Sequence, residues 1–432
     1  MRSPLHRGPI VVALAVAAAV APATASAATE AQTMATLRSI VKAMPGGTSV
    51  YAHEAATDTT LVTRTPSVAR VPASVTKLFT TSTALILDGP ATKLTTSVRM
   101  VGDLEGGVLD GDLIVKGDGD PGLRLDQLAQ LATAARDAGI TKISGQLRAD
   151  LNGWTAQQGT PLTNGAYNRE ISGRLGALVT LRGYASATTV DPAKQVLVKF
   201  RAALKAAGIS GSMPIGLPTS AGSDSTLVGQ TPSATVAQLV ASTLAPSDNF
   251  YAEMLLRGVG ARHGGAGTTA AGLAIEKTTL AKLGVTEKLY DGSGLSHSNR
   301  VTPTMVVRLL DQMAKRPEAK ALRTGMALAG STGTVAGRMR GTAAAGRCRL
   351  KTGTLSNVSA LAGYCTTLGR REVTFAVINN TTSVATARTM QDRVASALAS
   401  WSDPPETTAA TTPATTPQPK ATTPATSPTG GV

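Results

Sequence analysis

Three short polar motifs constrain the fold of this chain more than its other features do, because they can act together only if distant segments meet. Ser74-Val75-Thr76-Lys77 begins a predicted helix that Pro72 opens. Ser247-Asp248-Asn249 directly precedes a second helical pattern, and Lys351-Thr352-Gly353 ends a strand-like run. Ser74 and Ser247 are 173 positions apart. A fold that uses all three motifs must therefore close over a long intervening segment.

The first motif has the spacing of a nucleophile beside a base. Residues three apart share one face of a helix, so the hydroxyl of Ser74 and the amine of Lys77 point into one site. Serine is a poor nucleophile unless a neighbour takes its proton, and a lysine can do so only if burial or a second cation lowers its pKa. Lys351 is the candidate second cation. The same spacing at Ser39–Lys42 is interpreted as a structural helix end, since its apolar residues belong to the buried face of a predicted helix.

The second and third motifs have ordinary structural explanations when each is taken alone. The residues of the second motif are all types that cap helix N-termini, and those of the third suit a strand edge followed by a turn. Each motif occurs once in the chain. Their order after Ser74 and Lys77 is what favours a catalytic site over unrelated helix and strand ends.

The two ends of the chain differ from its body. Residues 1–27 combine a basic start, an apolar run over Ile10–Ala21 and a small-x-small ending, which is typical of an export signal. Pro22 cuts the run short of the roughly 20 apolar residues that a membrane-spanning helix needs. We therefore expect an exported protein, cell-wall-associated or secreted, with no transmembrane helix in its mature chain. Residues 402–432 repeat Thr, Pro and Ala and are predicted to be a disordered tail, either a solvated end or a spacer.

Charge and cysteine content exclude several classes of function. The chain has 42 Lys or Arg against 27 Asp or Glu and a formal net charge of +15. The leader holds two arginines and the tail one net negative charge, which leaves +14 on the body. No basic run is long enough for a nucleic-acid arm, so we expect no nucleic-acid partner, and an anionic polymer or a membrane surface stays open. Two cysteines and four histidines argue against a zinc site, and we expect no metal and no cofactor.

The patterns between the two ends predict helices and strands in α/β order. Glu30–Met44 has helical spacing, a hairpin pattern follows it, and Pro72–Leu87 predicts the helix of the first motif. Near the end of the body come three strand-like runs and an amphipathic helix, Ala385–Trp401. This order suits an α/β fold in which helices cover a sheet.

The stretch between residues 95 and 235 has short alternating segments separated by glycine-rich turns. Gly111–Lys116 and Gln195–Phe200 are two of its strand predictions. We therefore predict an inserted β-rich domain at 95–235, within a main domain formed by residues 28–94 plus 236–401.

Taken together, the three motifs resemble those of penicillin-recognising serine acyl-enzymes. The chain resembles in particular the D-alanyl-D-alanine carboxypeptidase/endopeptidase family, the low-molecular-mass class C penicillin-binding proteins. Further phrases of that family recur at Pro246–Glu253, Asp291–Ser296, Gly330–Thr334 and Arg338–Thr342. The resemblance covers about residues 28–401. It implies a penicillin-binding/β-lactamase-type transpeptidase fold, with an antiparallel sheet flanked by helices, a helical subdomain and an inserted domain between the first two motifs.

The resemblance also implies roles for individual residues. Ser74 is the acylated nucleophile, Lys77 is its general base, and Ser247 passes the proton to the leaving D-alanine. The backbone N–H groups of Ser74 and Thr354 form the oxyanion hole. The implied substrate-binding residues, for the substrate amide and the terminal carboxylate, are Asn249, Lys351, Thr352, Gly353 and Thr354.

The function implied by the resemblance is that of an exported serine-type D-Ala-D-Ala carboxypeptidase with DD-endopeptidase action as a second activity. Its partners are peptidoglycan stem peptides, with β-lactam antibiotics as inhibitors. Two alternatives stay open, a serine β-lactamase and a catalytically idle wall-binding protein. Glu287–Asp291 does not supply the deacylating Glu-x-x-Leu-Asn loop of a class A β-lactamase. His297 stands where relatives commonly have Arg.

The two cysteines lie on the strand-like runs beside the third motif. Cys348 and Cys365 could form a disulfide across that hairpin, which an exported protein permits, or remain two buried thiols. The residues alone leave both alternatives open.

Overall fold

A computed structural model describes residues 27–155, 157–183, 191–381, 383–403 and 430–431 of the chain. Nearly all of the predicted export signal and of the predicted tail lies outside these ranges. Within them, no helix has the length and apolar character needed to cross a membrane.

The described residues fold into helices and strands as follows. The helices are α1 (Glu30–Ala43), α2 (Lys77–Asp88), α3 (Leu125–Asp137), α4 (Pro192–Ala206), α5 (Val236–Leu244), α6 (Asn249–Gly264), α7 (Thr269–Ala281), α8 (Pro303–Ala314), α9 (Ala319–Gly325) and α10 (Val384–Ala399). The strands are β1 (Thr48–Glu54), β2 (Thr59–Arg64), β3 (Lys93–Glu105), β4 (Val108–Gly117), β5 (Lys142–Ile143), β6 (Leu147–Asp150), β7 (Thr226–Thr235), β8 (Ala327–Leu328), β9 (Cys348–Leu355), β10 (Val358–Thr366) and β11 (Glu372–Asn380).

The first sheet has the order β2-β1-β11-β10-β9-β8, and all its neighbouring strands are antiparallel. Helices cover both faces. Leu361 of β10 lies in one buried cluster with Leu37 of α1, whereas Ala362 lies in another with Leu78 of α2. Burial on both faces explains why β10 reads as an unbroken run of apolar and small residues. The predicted antiparallel sheet flanked by helices is confirmed.

The helical layer on the side of the first motif is centred on α2. The stretch from Lys77 to Leu85 is buried throughout, and α2 packs against α5, α6 and α7. Two of its buried threonines bond to the helix backbone, since the Thr81 hydroxyl donates to the Lys77 carbonyl and the Thr83 hydroxyl to that of Phe79. A rigid core helix therefore begins at the lysine of the first motif.

The second sheet has the order β5-β4-β3-β7, with β6 also paired to β4. It packs on α3 and α4, and Leu113, Leu131 and Phe200 share one buried cluster. The strand prediction for Gln195–Phe200 was wrong, because these residues lie inside α4. Asp191 caps that helix and Pro192 opens it. This region is therefore a mixed layer of strands and helices.

The Gln195–Phe200 error has a simple cause. Val196, Leu197, Phe200 and Leu204 are all buried in α4, which is the one-sided stripe of an amphipathic helix. Within a window of six residues, such a stripe is not distinguishable from a short apolar strand by periodicity alone.

Candidate active site

The nucleophile candidate lies in a tight turn directly before α2. Ala73–Thr76 forms a 3-10 turn, and Ala73 has φ +47°, a region that residues with a Cβ rarely adopt. A Cβ on Gly353 would lie 2.5 Å from the carbonyl oxygen of Pro72, and one on Gly294 would lie 2.0 Å from that of Ala73. Two glycines from distant segments therefore allow the backbone to approach this turn closely.

Lys77 is fully buried and makes three hydrogen bonds with its side-chain amine. Its Nζ lies 2.9 Å from Ser74 Oγ, 2.7 Å from Asn249 Oδ1 and 2.6 Å from the Ser293 carbonyl oxygen. By contrast, Ser39 and Lys42 are exposed on α1. Burial thus distinguishes the candidate pair Ser74 and Lys77 from the copy at Ser39 and Lys42 that was interpreted as structural.

Burial lowers the pKa of Lys77 from its ordinary 10.5 to about 8, because a desolvated ammonium is disfavoured. The carboxylates of Asp291, Glu253 and Asp248 oppose this shift. The pKa of Lys351 is lowered well below its ordinary value, first by burial and then by the charge on Lys77. The lowered pKa of Lys77 therefore has burial as its cause, in place of the charge on Lys351 that the sequence suggested.

The second motif connects α5 to α6. Ser247 has φ +64°, and its Oγ accepts a hydrogen bond from Lys351 Nζ at 2.8 Å. Asp248 is the N-cap of α6 and accepts from the Tyr251 N–H at 3.0 Å. The capping explanation of this motif is thus correct for Asp248, while Ser247 faces the lysine of the third motif.

Asn249 is bonded at both ends of its side-chain amide. Its Oδ1 accepts from Lys77, and its Nδ2 donates to the Glu170 carbonyl oxygen at 2.8 Å. Glu170 belongs to a 3-10 turn, Arg169–Ile171, that lies between β6 and α4 in sequence. The Nδ2 group carries a second N–H donor, which a substrate amide can use while the bond to Glu170 stays in place.

The third motif lies on an edge of the first sheet that has no paired strand in the part of the chain that the structure describes, although Lys351, Thr352 and Gly353 are themselves buried. β8 pairs only with Leu350 and Arg349, so β9 has no strand partner on that side from Lys351 onward among the described residues. Thr352 Oγ1 lies 2.8 Å from Thr334 Oγ1, and the exposed Thr354 accepts from Arg388 Nη2 at 3.4 Å. The open edge leaves room for an extended peptide to lie against β9.

The structure brings all three motifs together and adds residues that the sequence analysis did not single out. Thr334 and Glu253 fall inside family phrases noted above, which is the signal that could have found them. Ser293 falls inside the family phrase Asp291–Ser296 in the same way, whereas nothing in the sequence pointed to Arg388 on α10. The exposed His297 makes no side-chain contact that assigns it a role.

The two cysteines form a disulfide within the first sheet. Cys348 of β9 is the register partner of Cys365 of β10, and their Cα atoms are 4.1 Å apart. Both are fully buried. The bond joins the two strands three residues before Lys351.

No set of three or more His, Cys, Asp or Glu side chains in the described ranges is arranged to hold a metal ion. The chemistry available at this site is that of hydroxyl, amine and amide groups.

The chain is similar in sequence to carboxypeptidases. The model of the D-Ala-D-Ala carboxypeptidase 3 (S13) family matches residues 35–165 and 165–401. A D-alanyl-D-alanine carboxypeptidase from an Actinomadura species is 36% identical over 224 residues, which cover 50% of this chain and 41% of that protein. Carboxypeptidase DacB from Mycolicibacterium smegmatis is 28% identical over 356 residues, covering 76% and 75%. The match to the Actinomadura protein thus spans less than half of that protein's length.

Solved structures share the fold. Penicillin binding protein 4 from Haemophilus influenzae superposes with a TM-score of 0.67 at 23% identity, covering 83% of this chain and 97% of that one. A second structure of that protein is a complex with a β-lactam. A predatory endopeptidase from Bdellovibrio bacteriovorus superposes with a TM-score of 0.54 at 19% identity, covering 81% and 92%. The predicted penicillin-binding-protein fold is therefore confirmed.

Proposed function

The chain belongs to the D-Ala-D-Ala carboxypeptidase 3 (S13) family, and from this we propose that it is an exported serine-type D-Ala-D-Ala carboxypeptidase (EC 3.4.16.4). It hydrolyses peptidoglycan peptide ends, and cross-links in a second DD-endopeptidase activity, through an acyl-enzyme on Ser74. The observation that carries the proposal is the convergence of three motifs at one point. Lys77 Nζ donates to Asn249 Oδ1 at 2.7 Å, which joins the first motif to the second, and Lys351 Nζ donates to Ser247 Oγ at 2.8 Å, which joins the third.

Acylation begins with Lys77 in its neutral form. Lys77 takes the proton of Ser74 while Oγ attacks the carbonyl carbon of the penultimate D-alanine. The negative charge that develops on the carbonyl oxygen is stabilised by the backbone N–H groups of Ser74 and Thr354. The C–N bond then breaks, and the proton held by Lys77 passes through the Ser247 hydroxyl to the nitrogen of the leaving D-alanine, which returns Lys77 to its neutral form. Water subsequently cleaves the ester and restores Ser74.

The substrate's terminal carboxylate binds at the unpaired edge of β9, next to cationic and hydroxyl side chains. Lys351 supplies the buried charge, and Thr352 and Thr354 supply hydroxyls. Arg388 adds a guanidinium beside Thr354. Gly353 contributes by its lack of a side chain, since the strand could not otherwise approach the turn of Ser74.

Export and wall association complete the proposal. Ala28 already belongs to the fold, because its N–H donates to the Ser400 carbonyl at 2.9 Å and its carbonyl accepts from the Ser402 N–H at 2.8 Å. This supports a mature chain that begins near Ala28, after removal of residues 1–27. The net charge of the body supports retention at anionic wall polymers. We also retain the division into a main domain of 28–94 plus 236–401 and an inserted domain at 95–235.

The proposal is tested with a peptide that ends in D-Ala-D-Ala and with a penicillin, using mass spectrometry. The wild-type protein is expected to release D-alanine and to gain the mass of the penicillin on Ser74. Ser74→Ala should abolish both, whereas Ser39→Ala, the matched change at the structural copy of the motif, should retain both. Retention of both by Ser74→Ala overturns the proposal. Rapid repeated turnover of the penicillin favours a β-lactamase, and no reaction with either compound favours an idle wall-binding protein.

A further inference from the structure

A fully buried carboxylate, Glu253, lies behind the catalytic lysine candidate. It is the fifth residue of α6, whose first residue is Asn249. Its Oε1 accepts from the Gly292 N–H at 3.1 Å and from the Ser293 N–H at 2.8 Å, and its Oε2 has no hydrogen-bond partner. Burying a carboxylate with one oxygen unpaired is costly. The acylation reaction as described above leaves this group without a task.

The two N–H groups that Glu253 holds belong to the loop before α8. The next carbonyl of this loop, that of Ser293, accepts from Lys77 Nζ at 2.6 Å. The Gly292 carbonyl accepts from the Thr80 hydroxyl of α2 at 3.1 Å. Glu253 therefore connects α6 to the backbone segment that contacts Lys77, and the loop is attached to α2 at two points.

The partners of Lys77 determine where its lone pair points when it is neutral. A neutral amine has two N–H donors and one lone pair. The Ser293 carbonyl can only accept, and Asn249 presents its oxygen, because its Nδ2 donates to the Glu170 carbonyl. Ser74 is the one neighbour with a proton to give. When neutral Lys77 donates its two N–H groups to Asn249 Oδ1 and to the Ser293 carbonyl oxygen, its lone pair faces Ser74.

We propose that Glu253 is a positioning residue for the acylation reaction: by holding the Gly292 and Ser293 N–H groups, it keeps the Ser293 carbonyl on Lys77 and so directs the lysine lone pair at Ser74. The inference rests on the proposed acylation of Ser74. It assigns Glu253 no contact with the substrate.

Glu253 has a second, electrostatic effect on the same lysine. The charged groups around it are Lys77 from α2, Arg257 from its own helix, Glu276 from α7 and Asp291 from the loop. Burial raises the pKa of Glu253 to about 7, and its negative charge favours the ammonium form of Lys77. A neutral replacement with the same shape should therefore ease deprotonation of the lysine.

The test measures the rate of penicillin acylation of Ser74 by time-resolved mass spectrometry between pH 6 and 10. Glu253→Gln keeps an acceptor for both N–H groups, so its rate at high pH should stay within about threefold of wild type. Its half-maximal rate should move to lower pH by about one unit, because a negative charge near the lysine is gone. Glu253→Ala loses the acceptor as well, and its rate at high pH should fall by about tenfold to a hundredfold.

Glu276→Gln is the matched control, because Glu276 is a second fully buried glutamate whose carboxylate does not hold the loop. It should keep the wild-type profile. If folded Glu253→Ala acylates within threefold of wild type at high pH, the inference is overturned. Where Glu253→Ala fails to fold, a fall of more than tenfold in the high-pH rate of Glu253→Gln, which keeps an acceptor for both N–H groups, overturns it instead. If the wild-type protein is not acylated at all, the proposed function fails instead, so the two failures are distinguishable.

Discussion

A single methyl group added at Gly353 should disable the active site while leaving the chain folded. The Cβ of an alanine there would lie 2.5 Å from the Pro72 carbonyl oxygen and 3.2 Å from Ser74 N, whereas ordinary van der Waals contact begins at 3.4 Å. Either β9 or the turn of Ser74 must therefore shift by about 0.9 Å. Overpacking of this kind costs about 1 to 3 kcal/mol of stability. A displacement of about 1 Å between reacting groups can cost about a hundredfold in rate.

The assay compares Gly353→Ala with Gly337→Ala, since a Cβ on Gly337 meets nothing within 4 Å. Urea unfolding measures the stability loss, and time-resolved mass spectrometry measures acylation of Ser74 by penicillin. We expect Gly353→Ala to unfold at lower urea and to acylate about a hundredfold more slowly, and Gly337→Ala to behave as wild type in both. Acylation of Gly353→Ala at a rate within threefold of wild type would refute the reasoning, because the close approach would then not be needed.

Three further predictions concern the same region. The rate of Ser74 acylation should rise about fivefold from pH 7 to pH 8, since a lysine with a pKa of about 8 becomes neutral over that range. A rate that is flat over that range and climbs only above pH 9 would show that Lys77 keeps an ordinary pKa. Arg388→Ala should raise KM for peptides with a free terminal carboxylate by about tenfold, with Arg393→Ala on the same helix as the unaffected control; equal KM values for the two variants contradict a role for Arg388. Removing the Cys348–Cys365 disulfide should lower the free energy of unfolding by about 3 kcal/mol, as expected for a loop with a sequence separation of 17; an unchanged urea midpoint would contradict this.

Sequence reasoning succeeded where the signal is local. The second motif could be placed before a helix because the capping residue types and the helical pattern are adjacent, and Asp248 is indeed the cap. β10 and β11, which follow Lys351, could be predicted because they are rich in apolar and small residues. The position of Ser74 is different, since it lies in a turn before α2 and not in the helix. That turn depends on Gly353 and Gly294, which approach it from distant parts of the chain.

The features that sequence reasoning missed all depend on tertiary contacts. The sequence left open whether burial or a second cation lowers the pKa of Lys77; burial does so, and it follows from the packing of α2 between other helices. The hydrogen bond between Asn249 and the Glu170 carbonyl joins residues 79 positions apart and uses a backbone group, which leaves no mark in the residue types. Glu253 could be noticed inside a family phrase, but its contact with Ser293 requires the loop before α8 to be in place.

The strand order of the first sheet has a consequence for when this protein can become active. β1 lies beside β11, and Thr48 and Asn379, which are hydrogen-bonded, are 331 positions apart. Contacts between such distant residues form late, because the intervening chain must first be closed into a loop. The segment that contains Ser74 is synthesised early, whereas Lys351 and Gly353 are synthesised with the last strands of the sheet. A partly synthesised chain therefore lacks the site, and reactivity toward acyl donors begins only when the final strands join the first hairpin.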